Sequence, residues 1–113
     1  SDRFDYDSVG ESLPGASNRD VIYDFSGIGG GTVSEQIDLS TIDATAGGED
    51  AFTFIGTAAF TAPGHLRVRD SSANGDNLIQ ANTAGPSGAE LEIVVADGAT
   101  AAATDWVAED FVL

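Results

Sequence analysis

The chain contains no cysteine, no methionine and no lysine, and it has a single histidine. Without cysteine, neither a disulfide framework nor a thiolate metal site can hold the fold together. One histidine excludes an HExxH zinc site and any pair of imidazole ligands. Four arginines stand against 19 acids, giving a net charge of −15. Nucleic acid and anionic membrane surfaces are therefore poor partners, and cations are good ones. No apolar run is long enough to cross a bilayer, so no stable membrane insertion is expected. No basic stretch followed by an apolar one stands at the N-terminus, so an export address, if there is one, lies elsewhere.

What is present is enough for a folded core. The 113 residues hold 42% hydrophobic content, with six Phe, two Tyr and one Trp, which argues against disorder despite the charge. This length suits one domain, residues 1–113, with a modest core. The apolar residues recur with period two in seven runs: Phe4 and Tyr6; Val21, Tyr23 and Phe25 around Ile22; Ile37 and Leu39; Phe52 and Phe54; Leu66 and Val68; Leu78 or Ile79; and Leu91, Ile93 and Val95. That is strand spacing. Between the runs lie turn compositions such as "GIGGGT", "TAGGED", "APGH" and "SSANGD", in which glycine supplies positive φ. The pattern predicts an all-β sandwich or β-roll cap, ending in a short turn or strand. Phe4, Tyr6, Ile37, Leu39, Phe52, Phe54, Phe60, Leu66, Val68, Leu91, Ile93 and Val95 form the expected core. The single helical candidate is a turn through "WVAED" capped by Asp105, and "ADGATAAATD" reads as an extended connector.

Catalytic chemistry has little to draw on. His65 heads an expected strand, where a solvated or locally bonded imidazole is the ordinary outcome. No serine sits in a G-x-S-x-G elbow. Carboxylates are so numerous that two lie close by chance, so proximity does not single out a glycosidase pair. "GIGGG" lacks the lysine and helix of a phosphate loop. No catalytic residue is assigned, and the domain is expected not to be an enzyme. Calcium is the better-supported chemistry, because Asp-rich turns with glycine supply its oxygen ligands. The candidates are Asp2, Asp5 and Asp7 in "SDRFDYDS", Asp20 and Asp24 in "RDVIYDF", and Asp70, Asn74 and Asp76 in "RDSSANGDN". Spacing favours a residual site shared by Asp2, Asp20 and Asp24. The plain alternative for any one of them is a solvated aspartate on the wet face of a strand.

The chain ends on "TDWVAEDFVL", an apolar stretch where termini are usually polar and frayed. Several strings together, taken in order, resemble one family. "SDRFDYD", "RDVIYDF" and "QIDLSTID", then "AFTFIGTAAFTAPGHLRVRD", then "ELEIVVADG" and the terminal "EDFVL", are similar to the C-terminal domain of serralysin-type metalloproteases and other repeats-in-toxin proteins. The resemblance spans essentially the whole chain. It implies a β-roll cap joined to a β-sandwich, a secreted extracellular location, export through type I ABC secretion machinery, and calcium-driven folding. It also implies an uncleaved C-terminal signal, here Asp110, Phe111, Val112 and Leu113. The family's glycine-rich nonapeptides are absent and would precede Ser1, so an upstream passenger domain and repeats are implied partners in the same chain. Asp-rich residues that relatives carry before the final strand are missing from "ANTAGPSGAELEI". The competing reading is a polysaccharide-binding β-sandwich attached to a carbohydrate-active enzyme, with Trp106 and Tyr23 as its free aromatics.

Overall fold

Each of the seven apolar runs forms a strand, and the tail supplies an eighth. The computed structural model describes residues 3–15, 18–23, 25, 35–45, 50–70, 76–84, 88–96 and 102–113. Among these, β1 is Arg3–Asp5, β2 Asp20–Tyr23, β3 Gln36–Asp38, β4 Thr53–Phe54, β5 His65–Asp70, β6 Asn77–Asn82, β7 Leu91–Ala96 and β8 Phe111–Val112. They build a three-stranded sheet in the order β1-β3-β8 and a five-stranded sheet in the order β2-β7-β6-β5-β4. The only helical elements among the described residues are three-residue 3-10 turns. This is an all-β, two-sheet, sandwich-like architecture.

The small sheet is wholly parallel, so its three strands are gathered from the two ends and the middle of the chain. The large sheet is mixed: β5, β6 and β7 are an antiparallel meander, while β2 and β4 add to its edges in parallel. Alternation turns Ile22, Ile37, Leu66, Val68, Ile79, Ala81, Leu91, Ile93 and Val95 into the space between the sheets, where each is 5% exposed or less. Burying each Leu or Ile contributes about 1.5–3 kcal/mol, enough to fix the strand registers. The turn at "APGH" uses Gly64 at φ +91°, and a Cβ there would press on Thr45 at 3.3 Å, so both backbone and space call for glycine.

Several expectations need correction. Phe4 and Phe54 are half-buried, because each lies on an edge strand with no further strand on its outer side among the described residues. In β2 the buried phase is Ile22, leaving Val21 and Tyr23 exposed at 43% and 70%. The run was apolar on both phases, so periodicity alone could not choose. In the tail, Asp105 does not begin a turn through "WVAED". It closes a 3-10 turn at Ala103–Asp105 by accepting from the Ala102 N–H at 2.9 Å, and Asp110 closes a second at Ala108–Asp110 by accepting from Val107 N–H at 2.9 Å. A short carboxylate at the third position reaches back to a free N–H there. Most of "ADGATAAATD" lies outside the described residues.

Parallel pairing of β1 and β3 sets Asp5 beside Asp38. Asp38 is held by the hydroxyl and N–H of Ser40 at 2.6 and 2.9 Å, which keep its carboxyl below the usual range. Asp5 has no such donors among the described residues. Partial desolvation, then the charges of Asp7, Asp38 and Glu11, push its carboxyl up against the weaker pull of Arg3. Its ionisation therefore opposes folding, and the penalty is relieved as pH falls below its raised pKa. Asp5→Asn is expected to raise the Tm at pH 7 in chelator, with the advantage over wild type shrinking to nothing as pH is lowered past the ordinary aspartate range. An equal Tm at pH 7 would show that this pair is fully screened.

Candidate functional site

The proposed calcium ligands are only partly placed. Asp2 and Asp24 lie outside the described residues. Asp20 opens β2 on the same phase as Ile22, with its own side chain exposed; its carboxylate takes the hydroxyl of Tyr6, and burial together with that acid holds the phenol above its usual pKa. Its backbone N–H donates to Ser12 Oγ at 2.8 Å. Asp7 accepts from the Thr41 hydroxyl at 2.7 Å, and Asp70 accepts from Ala103 N–H at 2.8 Å, while Asn74 is outside the described residues. A cleft of about 400 Å3 is lined by Ser40 to Asp43, Asp50 and Ala51. Its two acids are engaged locally: Asp43 accepts from the N–H groups of Thr45 and Asp50, and Asp50 from the Thr45 hydroxyl. Among the described residues no three His, Cys, Asp or Glu side chains converge as a metal cage.

The tail is the best-defined feature of chemical interest. Phe111 and Val112 form β8, parallel to β3 with Ile37 opposite Phe111, and Leu39 N–H donates to Val112 O at 2.9 Å. Asp110 is 0% exposed and Phe111 4%. Val112 and Leu113 are half-buried, with Leu113 packed on the core. From there a line of aromatic rings runs through the interior. Phe54 meets Phe111 at 5.3 Å, Phe111 meets Trp106 at 5.6 Å, Trp106 meets Phe25 at 5.2 Å, and Phe25 meets Phe4 at 5.8 Å between centroids. Contacts of this kind add to the area they bury. Trp106 is anchored by its indole N–H to Asn77 Oδ1 at 2.9 Å and is 3% exposed. The expectation that Trp106 is a free aromatic is thereby overturned: its ring fills the gap between the sheets, and its one polar atom finds a buried amide. Tyr23 does stand free.

Sequence reasoning missed a second feature, on the outer face of the large sheet. Register aligns Arg67, Gln80 and Glu92 on neighbouring strands, and Arg19, just before β2, completes the row. Arg19 Nη1 donates to Glu92 Oε1 at 2.8 Å, Gln80 Nε2 to Glu92 Oε2 at 2.8 Å, and Arg67 Nε to Gln80 Oε1 at 2.9 Å. The Arg67 guanidinium lies 4.3 Å over the Phe60 ring. Burial raises the Glu92 carboxyl, but bonds from Arg19, Gln80 and Gly15 N–H outweigh it, and the net displacement is downward. Glu92 and Gln80 are 7% and 8% exposed although they point away from the core. Ser12 bridges this region, donating to Glu92 O at 2.5 Å and accepting from Glu92 N–H through its own carbonyl at 2.9 Å. His65, on the same face of β5, is half-buried, and its enclosed Nδ1 has no partner among the described residues.

No family model matches the chain, and no curated protein matches it. The chain is an all-β protein of two packed sheets, the smaller of which ends on the strand Phe111–Val112.

Proposed function

We propose that this domain is the non-catalytic C-terminal cap of a secreted repeats-in-toxin protein, resembling that of the serralysin-type proteases, and that it acts in type I export and calcium-dependent folding of its parent. The observation that carries the reading is the pair of edge strands β1 and β2. Each is the outermost strand of its sheet and pairs inward with a parallel neighbour. Phe4 against Phe25, and Tyr6 against Asp20, place the two edges on the same side of the sandwich. Two parallel edges side by side suit the continuation of a roll of stacked parallel coils, in which each coil supplies one strand to either sheet. The tail fits the same reading: Asp110 to Leu113 combine an acid with three apolar residues that are legible only before they dock. Calcium would draw on Asp2, Asp20 and Asp24, with extracellular concentrations filling a site that stays empty in the cytoplasm.

Fusing residues 1–113 behind a slow-folding passenger is expected to give export in cells carrying a type I channel, and Asp110→Asn together with Phe111→Ala to reduce it. Equal export of both would sink the proposal. Calcium is tested apart from export. A ligand that binds only the folded state adds RT ln(1 + [L]/Kd), about 2.7 kcal/mol when its concentration is a hundredfold above Kd. A Tm that rises in millimolar calcium over chelator is expected, and an unchanged Tm would remove calcium from the reading of this domain. The alternative of an aromatic sugar platform lacks its second ring, because Trp106 is buried.

A further inference from the structure

The two flanks of the small sheet are held unequally. Its middle strand, β3, is enclosed, with Ile37 0% and Asp38 8% exposed. On one side β8 is anchored by Phe111, set between Phe54 and Trp106 in the interior. On the other side β1 has three residues, of which Arg3 and Asp5 are exposed and Phe4, half-buried, turns inward against Phe25. The outer side of β1 opposes this hold. Parallel register sets Asp5 beside Asp38, on strands roughly 4.8 Å apart. Asp7 follows two residues on. Glu11, from the 3-10 turn Val9–Glu11, is tied in by accepting from the N–H groups of Asp7 and Ser8 at 2.7 and 2.8 Å. Asp7, Asp38 and Glu11 all act on Asp5, against the one cation Arg3, while Gln36 beside Arg3 is neutral. Arg3 gives little relief. It lies 3.6 Å from Asp38 with its own side chain 59% exposed, and a solvated pair of that kind is weak.

We propose that β1 is a charge-gated strap: at low ionic strength it lifts from β3 while the rest of the domain stays folded, and ions in solution let it close. Like charges on neighbouring strands are destabilising. Their reach falls from about 30 Å in 0.01 M salt to about 3 Å in 1 M, so across that range the repulsion is screened while the apolar contact of Phe4 is kept. Openings confined to one element cost less than global unfolding, and an edge strand with an exposed outer side is where they concentrate. Lifting β1 bares the N–H and C=O groups along one side of β3, which is the condition under which a strand accepts another chain. The strap thus decides whether the small sheet presents a closed or an open flank. The inference does not rest on the export reading or on calcium, because screening needs no bound ion.

The test is native-state hydrogen exchange of residues 1–113 in chelator. Two amides report on the strap: Tyr6 N–H, which donates to Asp38 O at 2.9 Å, and Asp38 N–H, which points the same way as that carbonyl. Leu39 N–H, donating to Val112 O on the opposite flank of β3, is the internal reference. In about 0.01 M sodium chloride Tyr6 and Asp38 are expected to exchange much faster than Leu39, relative to their intrinsic rates, and the gap to narrow several-fold in about 1 M. Choline chloride should act as sodium chloride does. Asp5→Asn is expected to narrow the gap in low salt already. Glu109→Gln, an exposed change of equal charge that is not among the groups acting on Asp5, should leave the gap as it is. Equal protection of Asp38 and Leu39 in low salt overturns the proposal, as does a gap unmoved by salt and by Asp5→Asn. Narrowing by Glu109→Gln as large as by Asp5→Asn overturns it in favour of net charge, and an effect of sodium that choline lacks overturns it in favour of a bound ion.

Discussion

Removal of Phe111, Val112 and Leu113 is expected to unfold the domain outright. Phe111 is 4% exposed and stacks between Phe54 and Trp106, so its loss opens a cavity in the middle of the aromatic line. A buried Phe→Ala change alone costs about 3–5 kcal/mol, a large part of the roughly 5–15 kcal/mol that holds a domain of this size. Truncation also strips the Leu39 N–H of its acceptor at Val112 O and leaves β3 with an open edge. Urea denaturation of Phe111→Ala should therefore show a much lower midpoint, and the truncated chain no cooperative transition. If the truncated chain unfolded at the wild-type midpoint, the tail would be an appendage and its burial immaterial. The result also bears on export, since residues that close the folded core are available to another protein only while the chain is unfolded.

How far the sequence reveals this depends on whether one phase of a strand is unambiguously polar. In "HLRVRD" and "QIDLS" the apolar residues alternate with charged or polar ones, and Leu66, Val68, Ile37 and Leu39 are buried as that pattern requires. In "DVIYDF" three apolar residues are consecutive, and only pairing with β7 reveals that Ile22 turns inward while Val21 and Tyr23 do not. Trp106 carried no periodic signal at all, being flanked by 3-10 turns, and it is enclosed by the rings of Phe25 and Phe111, brought from distant parts of the chain. The polar row on the large sheet was hidden for the opposite reason. Gln80 and Glu92 look like ordinary wet-face residues, which most such residues are. They are enclosed because Ser12, Gly15, Arg19 and Phe60 lie over a face that alternation alone would leave open. Strand neighbours, by contrast, could not be read from the chain: a parallel sheet that joins residues 3–5, 36–38 and 111–112 is a matter of long-range closure.

Glu92→Gln is expected to be far more damaging than an isosteric change on a sheet surface should be. The carboxylate accepts on both oxygens, from Arg19 and Gly15 N–H on one and from Gln80 on the other. An amide can keep one of these sets but must present an N–H to the other. If it faces Gln80, two donors meet, and Gln80 can escape only by turning its own amide toward Arg67 Nε, where two donors meet again. One carboxylate thus orders the side chains of Arg19, Gln80 and Arg67. Breaking a buried charged pair costs about 3–5 kcal/mol, and with the Arg19 side chain 24% exposed and free to rehydrate, about 2–4 kcal/mol is expected here. The sign of the pH dependence follows from the direction of the shift. Glu92 ionises more readily when folded, so its contribution is fully present above the ordinary glutamate value of 4.5 and is lost as pH falls through its lower folded pKa. The wild-type advantage in Tm over Glu92→Gln should accordingly be constant near neutrality and narrow in acid. Adding Arg19→Met to Glu92→Gln should cost less than the two single changes summed, because each already removes the same pair. An advantage that did not change between neutral and acidic pH, or strict additivity of the two substitutions, would mean that charge does not hold the row together.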